Sequence, residues 1–263
     1  MYNHHSFLIV GVLCIVLLVS IEVGFRLGMR HGRDANDAAR SQVNTIQASL
    51  LGVLALLLGF TFSLSLQRFD SRSAAVVGEA NAIGTAWLRS ELLPASVRDD
   101  VRAAMQEYIA VRIAAGEESL DHVDRRAELL AQTSAIQEDL WANVVRAAAE
   151  APNPVTTGLY TQALNEMIDS FGVRQAALDR HVPEVVLFLL FGTLILTASL
   201  VGYASGMAGQ RASFATHVLV LLIVLLVFII IDLDRPRRGL IEVRQDSMVA
   251  LRDAMIVAQR PER

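Results

Sequence analysis

Four long apolar runs dominate the pattern of hydrophobic and polar positions along this chain of 263 residues. They cover residues 7–27, 46–66, 185–203 and 214–231. A helical run of about 20 apolar residues spans the roughly 30 Å hydrocarbon core of a bilayer. The first run has neither a basic segment before it nor a small-residue cleavage site after it, so we predict an uncleaved span. The sequence therefore predicts four transmembrane helices.

Between residues 67 and 182 the apolar positions recur with the period of a helix, and charged residues occupy the other faces. After Pro94, one stripe is apolar except at its last position; it consists of Val97, Val101, Met105, Tyr108 and Arg112. We expect this helix to stop at Gly116. No alternating pattern typical of strands is present. The prediction is a helical soluble domain inserted between the second and third spans.

Two further helices are expected in this domain. One is predicted over residues 119–151, with its inward positions at Leu129, Ile136, Leu140 and Val144. The Pro-Asn-Pro string at 152–154 should end it, and Pro154 is predicted to be the first residue of a third helix that reaches residue 181. A short amphipathic helix is predicted over residues 239–259.

The predicted organisation is thus an all-α membrane protein in four parts. Residues 1–66 hold the first two transmembrane helices and their loop, and residues 67–182 form the soluble helical domain. Residues 183–232 hold the last two transmembrane helices, and residues 233–263 form a basic junction and the C-terminal helix. The second span is predicted to run without a break into the soluble domain, because no helix breaker lies between Leu66 and Gly84.

Composition and charge exclude several classes of function. Hydrophobic residues make up 53% of the chain, and the net charge of −4 provides no basic surface for nucleic acid. The single cysteine, Cys14, cannot form an internal disulfide. No catalytic motif is present, so we expect no enzyme activity, no cofactor and no metal site. The partners expected are the lipid bilayer, other copies of the chain and small inorganic ions.

Arginines near the span ends indicate the orientation. They are more numerous on the side that would hold both termini and the soluble domain, which predicts that this side is cytoplasmic. Five arginines lie on the other side. The expected location is the plasma membrane, and in a bacterium the inner membrane.

Two carboxylates near bilayer depth, Glu22 and Asp232, permit two interpretations. Such groups often face a cavity or a partner because they are costly in hydrocarbon. Each also lies near the end of its span, where it can reach the headgroups. For Asp232 the structural interpretation is favoured, with Asp234 and the following arginines as a local charge network.

The second span carries a more specific pattern. Small and hydroxyl residues interrupt it, and Gly52, Leu56 and Phe60 recur at i, i+4 and i+8 on one stripe. Small residues in a transmembrane helix also mark ordinary helix packing, and the spacing by itself favours that interpretation.

A resemblance to a known family favours a functional interpretation of this pattern over ordinary helix packing. Leu58, Gly59 and Phe60, followed after seven residues by Arg68 and an aromatic, resemble the second transmembrane helix of bestrophins. Residues 68–72, 79–86 and 232–240 resemble an uncharacterised bacterial family that is called bestrophin-like. With the order of spans, the similarity covers most of the chain from about residue 46 onward.

The resemblance implies a pentameric ion channel. Bestrophins are pentamers whose second helices ring a hydrophobic neck, and by position in the motif the neck residues here would be Gly52, Leu56 and Phe60. Ser63 and Gln67, together with Glu22 on the first span, are the candidate polar residues of the pore or its vestibule.

The chain also departs from the family pattern. The bestrophin neck has bulky apolar residues at all three levels, whereas this chain has Gly52 at the first. Phe69 and Asp70 replace a tandem of tryptophans, and the acidic Ca²⁺-binding string after the last span is missing. The resemblance therefore does not extend to Ca²⁺ gating. The alternative to a channel is a non-conducting scaffold or sensor that binds a protein partner through its helical domain.

Overall fold

The computed structural model describes residues 6–32, 36–119, 122–211, 213–235 and 240–258. Every regular element in these ranges is a helix. The α-helices, in order, are α1 (Ser6–His31), α2 (Asp37–Arg89), α3 (Ala95–Glu117), α4 (Val123–Glu150), α5 (Thr157–Asp179), α6 (Glu184–Met207), α7 (Phe214–Asp234) and α8 (Asp246–Ala258). A short 3₁₀ helix, Ser90–Leu92, follows α2.

Four stretches long and apolar enough to cross a membrane lie in α1, α2, α6 and α7, as the sequence predicts. The helices that carry them extend beyond the predicted spans, and α2 continues unbroken from Asp37 to Arg89. The prediction of an uninterrupted helix from the second span through Gly84 is confirmed. The chain divides into two compact units: Met1–Arg68 with His181–Arg235, called unit 1 here, and Phe69–Arg180 with Pro236–Arg263, called unit 2.

In unit 1, α1 and α6 pack backbone against backbone. Positions 24 and 28 of α1, and position 32 just after it, meet positions 199, 203 and 207 of α6 in the same order, so the two helices run parallel. A Cβ atom at Gly24 would lie 2.0 Å from the carbonyl oxygen of Ser199, and one at Gly28 would lie 2.1 Å from that of Tyr203. Glycine is required at both positions because any side chain would force the helices apart.

The core of unit 1 is aliphatic and draws on all four spans. It is formed by buried residues that include Leu13, Leu17, Leu54, Leu58, Leu190, Leu194, Val227 and Ile230. Helix α6 begins after Pro183, which has no N–H to leave unsatisfied, and Glu184 suits the positive end of the helix dipole.

A polar contact joins the start of α6 to the end of α7. The Asp234 carboxylate accepts a hydrogen bond from the backbone N–H of Val182 at 2.9 Å, and the Asp234 carbonyl oxygen lies 3.1 Å from Nδ1 of His181. Asp232, Asp234 and Arg235 are all buried. Asp234 therefore holds the end of α7 to the residues that precede α6, whereas the charge network expected for Asp232 stays a prediction.

Unit 2 has one continuous core of helix-borne apolar side chains. All five residues of the α3 stripe, from Val97 to Arg112, are buried, and so are the four predicted inward positions of α4. The helical period therefore identified the core faces of both helices correctly.

Three predicted boundaries differ from the structure. Helix α5 begins at Thr157, so the prediction that Pro154 starts it is wrong. The reason is local: Oδ1 of Asn153 accepts the N–H of Val155 at 2.8 Å, which turns the chain before the helix begins. Helix α4 begins at Val123 rather than at residue 119. Helix α8 begins at Asp246, whereas its predicted ends at 239 and 259 lie outside the described residues.

Candidate functional site

The part of α2 that belongs to unit 1 has a buried side and an exposed side. Leu54, Leu58, Thr61 and Ser65 are buried. Leu54 and Leu58 pack in the aliphatic core, and the Thr61 hydroxyl donates to the carbonyl of Leu57 at 2.7 Å. This side fixes the rotation of α2 within unit 1, and it thereby determines which residues remain uncovered.

The predicted neck residues lie on the uncovered side. Gly52 is exposed, and the side chains of Leu56 and Phe60 are 59% and 63% exposed. Ser63 and Gln67 continue the same stripe and are exposed too. Nothing in the described part of the chain covers this row, so its function depends on what faces it in the membrane.

The glycines of α2 behave differently from those of α1. Nothing lies within 4 Å of the place where a Cβ atom on Gly52 or Gly59 would sit, whereas Gly24 and Gly28 touch the α6 backbone. Packing among the described residues of a single chain therefore explains Gly24 and Gly28 on α1 but not Gly52 and Gly59 on α2. Ordinary helix packing, the first interpretation of the α2 pattern, would therefore need helices of another copy of the chain at these two positions, and it stays an alternative prediction.

Hydroxyl and amide groups flank the apolar part of the exposed face on both sides. On one side, the Thr45 hydroxyl donates to the Ser41 carbonyl at 2.9 Å and the Ser49 hydroxyl donates to the Thr45 carbonyl at 3.0 Å. On the other side, Nε2 of Gln67 donates to Oγ of Ser63 at 3.5 Å. Along α2, the exposed stripe is thus polar at one end, apolar in the middle and polar at the other end.

The exposed faces of the other three spans lack this arrangement over the described residues. The exposed residues of α7 from 218 to 225 are all Val or Leu. Those of α1 from 8 to 23 and of α6 from 185 to 196 are aliphatic, Phe or Gly. A uniformly apolar face suits lipid. The exposed face of α2 carries hydroxyl and amide groups at bilayer depth, and it therefore does not suit contact with lipid.

The third candidate polar residue, Glu22, is on α1. Its Oε1 accepts a hydrogen bond from Nε of Arg26 at 2.8 Å, and both side chains are partly exposed. The pair joins residues one helical turn apart, which is a local contact of small energetic value. A pore role for Glu22 stays a prediction.

Unit 2 contains a buried ion-pair cluster of one carboxylate and two guanidinium groups. Glu79, Arg112 and Arg174 are each at most 2% exposed. Oε1 of Glu79 accepts from Nε of Arg112, and Oε2 accepts from a terminal nitrogen of Arg174, both at 2.6 Å. Arg112 also lies 4.6 Å from the centre of the Phe171 ring. The cluster ties α2, α3 and α5 together around one buried carboxylate.

Two neighbours complete the cluster. Arg174 donates to Oε1 of Gln245 at 2.8 Å, which attaches the segment before α8. The hydroxyl of Tyr108 accepts a hydrogen bond from Gln137 at 3.2 Å. Burial raises the pKa of Tyr108 to about 12, and the nearby charge of Glu79 adds to this shift. The tyrosine therefore stays neutral at physiological pH.

Neither the ion-pair cluster nor the α1–α6 contact was predicted, although both have signals in the sequence. Arg112 is the one polar member of an otherwise apolar stripe, which marks a buried charge that needs a partner. Gly24, Gly28 and Gly32 recur every four residues along and just after α1, and Gly202 and Gly206 do so on α6. This spacing is typical of close helix contacts.

Comparison with solved structures identifies the fold. A crystal structure of a mutant bacterial bestrophin homologue from Klebsiella pneumoniae matches with a TM-score of 0.60 at 18% identity, over 92% of this chain and 97% of that one. A crystal structure described only as a membrane protein matches with a TM-score of 0.62 at 16% identity, over 93% of this chain and 97% of that one. At such identities the likeness shows the fold alone.

Curated protein sequences gave no match. The Bestrophin-like domain, by contrast, matches residues 12–248, which is nearly the whole chain and includes most of the first span, the other three spans and most of both units. The sequence resemblance to this family is therefore confirmed over a longer stretch than its motifs alone covered, and the chain belongs to the Bestrophin-like family.

Proposed function

We propose that this protein is an oligomeric ion channel whose pore is lined by the exposed face of α2. The observation that carries the proposal is the order of residues on that face: hydroxyl groups, then Gly52, Leu56 and Phe60, then Ser63 and Gln67. Membership in the Bestrophin-like family supports a channel function. Four helices with membrane-spanning length support its location in a bilayer.

The order of residues fits a water-filled axis better than a lipid contact. From Thr45 to Gln67 the face is about 33 Å long at about 1.5 Å per residue, which is close to the thickness of the hydrocarbon core. Hydroxyl and amide groups in contact with lipid would leave part of their hydrogen-bonding capacity unused. Beside a water column they remain hydrated, and this removes the cost.

The proposed mechanism is passive flow limited by a hydrophobic constriction. If copies of α2 ring a common axis, Leu56 and Phe60 form successive collars one helical turn apart. A collar narrower than a hydrated ion destabilises the water column, so the barrier comes from dewetting rather than from coordination of the ion. Gly52 leaves the first level wider than the next two.

The further features of the proposal are the assembly and the orientation. We propose a homopentamer in the plasma membrane, the inner membrane if the organism is bacterial, with the soluble domain in the cytoplasm. The arginine distribution near the span ends supports that orientation. Metal binding plays no part in this mechanism, and the described residues include no cluster of three or more His, Cys, Asp or Glu side chains.

The experiment is conductance of the purified oligomer in planar bilayers. Replacing Leu56 and Phe60 together by alanine should widen and wet the constriction and raise the single-channel conductance. The matched control replaces Leu221 and Leu225, which are exposed, apolar and four residues apart on α7, and it should leave the conductance unchanged.

The alternative function predicts a different result. If the protein is a scaffold or sensor, the wild type and the L56A/F60A variant will both assemble normally and neither will carry current. An oligomer that loosens in the L56A/F60A variant, again without current, would place these side chains in subunit packing. Either result would overturn the channel proposal.

A further inference from the structure

Arginines from three separate elements lie at one end of unit 1. Arg26 and Arg30 are one turn apart near the end of α1, Arg40 is near the start of α2, and Arg211 is in the loop between α6 and α7. All four are exposed. We call them the loop-end arginines.

Contacts show that these elements meet. The guanidinium of Arg211 lies 5.7 Å from the centre of the Phe25 ring, and Phe25 precedes Arg26 on α1. A terminal nitrogen of Arg40 donates to the carbonyl of Gly32 at 3.3 Å, two residues beyond Arg30. The parallel packing of α1 on α6 is the cause, because it brings the ends of both helices, and the loops that follow them, to the same place.

The charge at this end of unit 1 is unbalanced. Four arginines face two carboxylates among the described residues, Glu22 and Asp37. Glu22 is engaged by Arg26 at 2.8 Å. No carboxylate in the described part of the chain pairs with Arg30, Arg40 or Arg211. With respect to the described carboxylates, three guanidinium groups can therefore meet an external anion.

Their depth suits a lipid headgroup. Arg26 lies in the last turn of the first apolar run, and the other three loop-end arginines lie within about two helical turns of the end of a run. Guanidinium groups at such positions reach the phosphate level of a bilayer. Phe25 and Tyr203, on the same helix ends, are aromatic residues of the kind enriched at that level. The planar guanidinium fork matches the two free oxygens of a phosphodiester.

We propose that the loop-end arginines form a binding surface for anionic phospholipid headgroups. A lipid such as phosphatidylglycerol keeps the full negative charge of its phosphodiester. In phosphatidylcholine the ammonium group offsets that charge, so the surface discriminates by net charge and not by the presence of phosphate. This inference does not depend on conduction, since a scaffold in the same bilayer would carry the same surface.

The experiment is native mass spectrometry of the full-length protein, purified from an equimolar mixture of phosphatidylglycerol and phosphatidylcholine. The wild type should retain phosphatidylglycerol preferentially. The R30Q/R211Q variant should lose about fivefold in this preference for each arginine removed. R125Q/R252Q is the matched control, because it removes one exposed and one half-buried arginine from unit 2, and it should behave as the wild type.

Two additions make the outcome decisive. R30K/R211K keeps the charge and should keep most of the preference, even if R30Q/R211Q does not fold. Equal retention of the two lipids by the wild type would overturn the proposal, and so would an equal loss of the preference in R30Q/R211Q and in R125Q/R252Q. Displacement of the lipid by inorganic phosphate would assign the arginines to a free anion instead, and it would also overturn the proposal.

Discussion

Gly24 and Ser199 are so close that no side chain fits between them. A Cβ atom on Gly24 would lie 2.0 Å from the carbonyl oxygen of Ser199 and 2.9 Å from its carbonyl carbon. Both atoms belong to the backbone of α6, which cannot move aside as a flexible side chain could. The spacing of α1 and α6 is therefore set by the absence of a methyl group.

Replacing Gly24 by alanine should consequently destabilise unit 1. We expect a loss of roughly 1–3 kcal/mol, the usual cost of overpacking, measured as a lower thermal unfolding temperature in detergent. Gly11 is the control, since it lies on the same helix and has nothing within 4 Å of its Cβ direction. G11A should be neutral or slightly stabilising because alanine favours helix. Equal effects of the two variants would contradict the close contact.

The Glu79→Gln variant tests the ion-pair cluster. It keeps the shape of the side chain but leaves Arg112 and Arg174 buried without a counter-charge. Breaking a buried pair in this way costs about 3–5 kcal/mol, which thermal unfolding followed by circular dichroism would detect. Asp100→Asn is the control: it breaks the exposed 3.3 Å pair with Arg146 and should cost less than about 1 kcal/mol. If E79Q were as mild as D100N, the carboxylate would not be what holds the three helices together.

The raised pKa of Tyr108 predicts a dependence of stability on alkaline pH. In the unfolded chain tyrosine ionises near pH 10, whereas in the folded protein its pKa is about 12. Above pH 10 the unfolded state releases its proton first, so the stability of the wild type falls as the pH rises. The chain has no lysine, which leaves few other groups to titrate in this range.

The Tyr108→Phe variant isolates this contribution. Between pH 9 and about 11.5, the wild type should lose up to roughly 2 kcal/mol of stability relative to Y108F. Denaturant unfolding of both proteins at a series of pH values gives the difference. Parallel curves for the two proteins would show that Tyr108 ionises normally in the folded state.

Topology can be tested with three single cysteines in a Cys14→Ser background. The loop after α1 and the loop after α6 lie at the same end of unit 1, and α6 begins at the other end. Cysteines that replace Asp37 and Gln210 should therefore react with an impermeant thiol reagent from one side of the membrane. A cysteine in place of Glu184 should react from the other. Labelling of Asp37 and Glu184 positions from the same side would contradict four spans.

The sequence by itself determined the spans, the helical class and the inward faces of α3 and α4. These properties depend on hydrophobic periodicity within single helices, and a period of 3.6 residues can be recognised without knowledge of any partner. It also determined which residues share a stripe on α2. The exposure of that stripe, however, depends on the rotation of α2 about its axis. This rotation is set by the packing of Leu54 and Leu58 in the aliphatic core, which only the tertiary structure shows.

The tertiary structure decided which distant residues meet. Glu79 pairs with Arg112 across 33 residues and with Arg174 across 95, and Gly24 faces Ser199 on a helix that begins 160 residues after it. Local pattern contains no information on these partners, because a buried charge or a row of glycines shows only that a partner is needed. Which partner is chosen depends on the crossing of whole helices, and that is fixed only when the core packs.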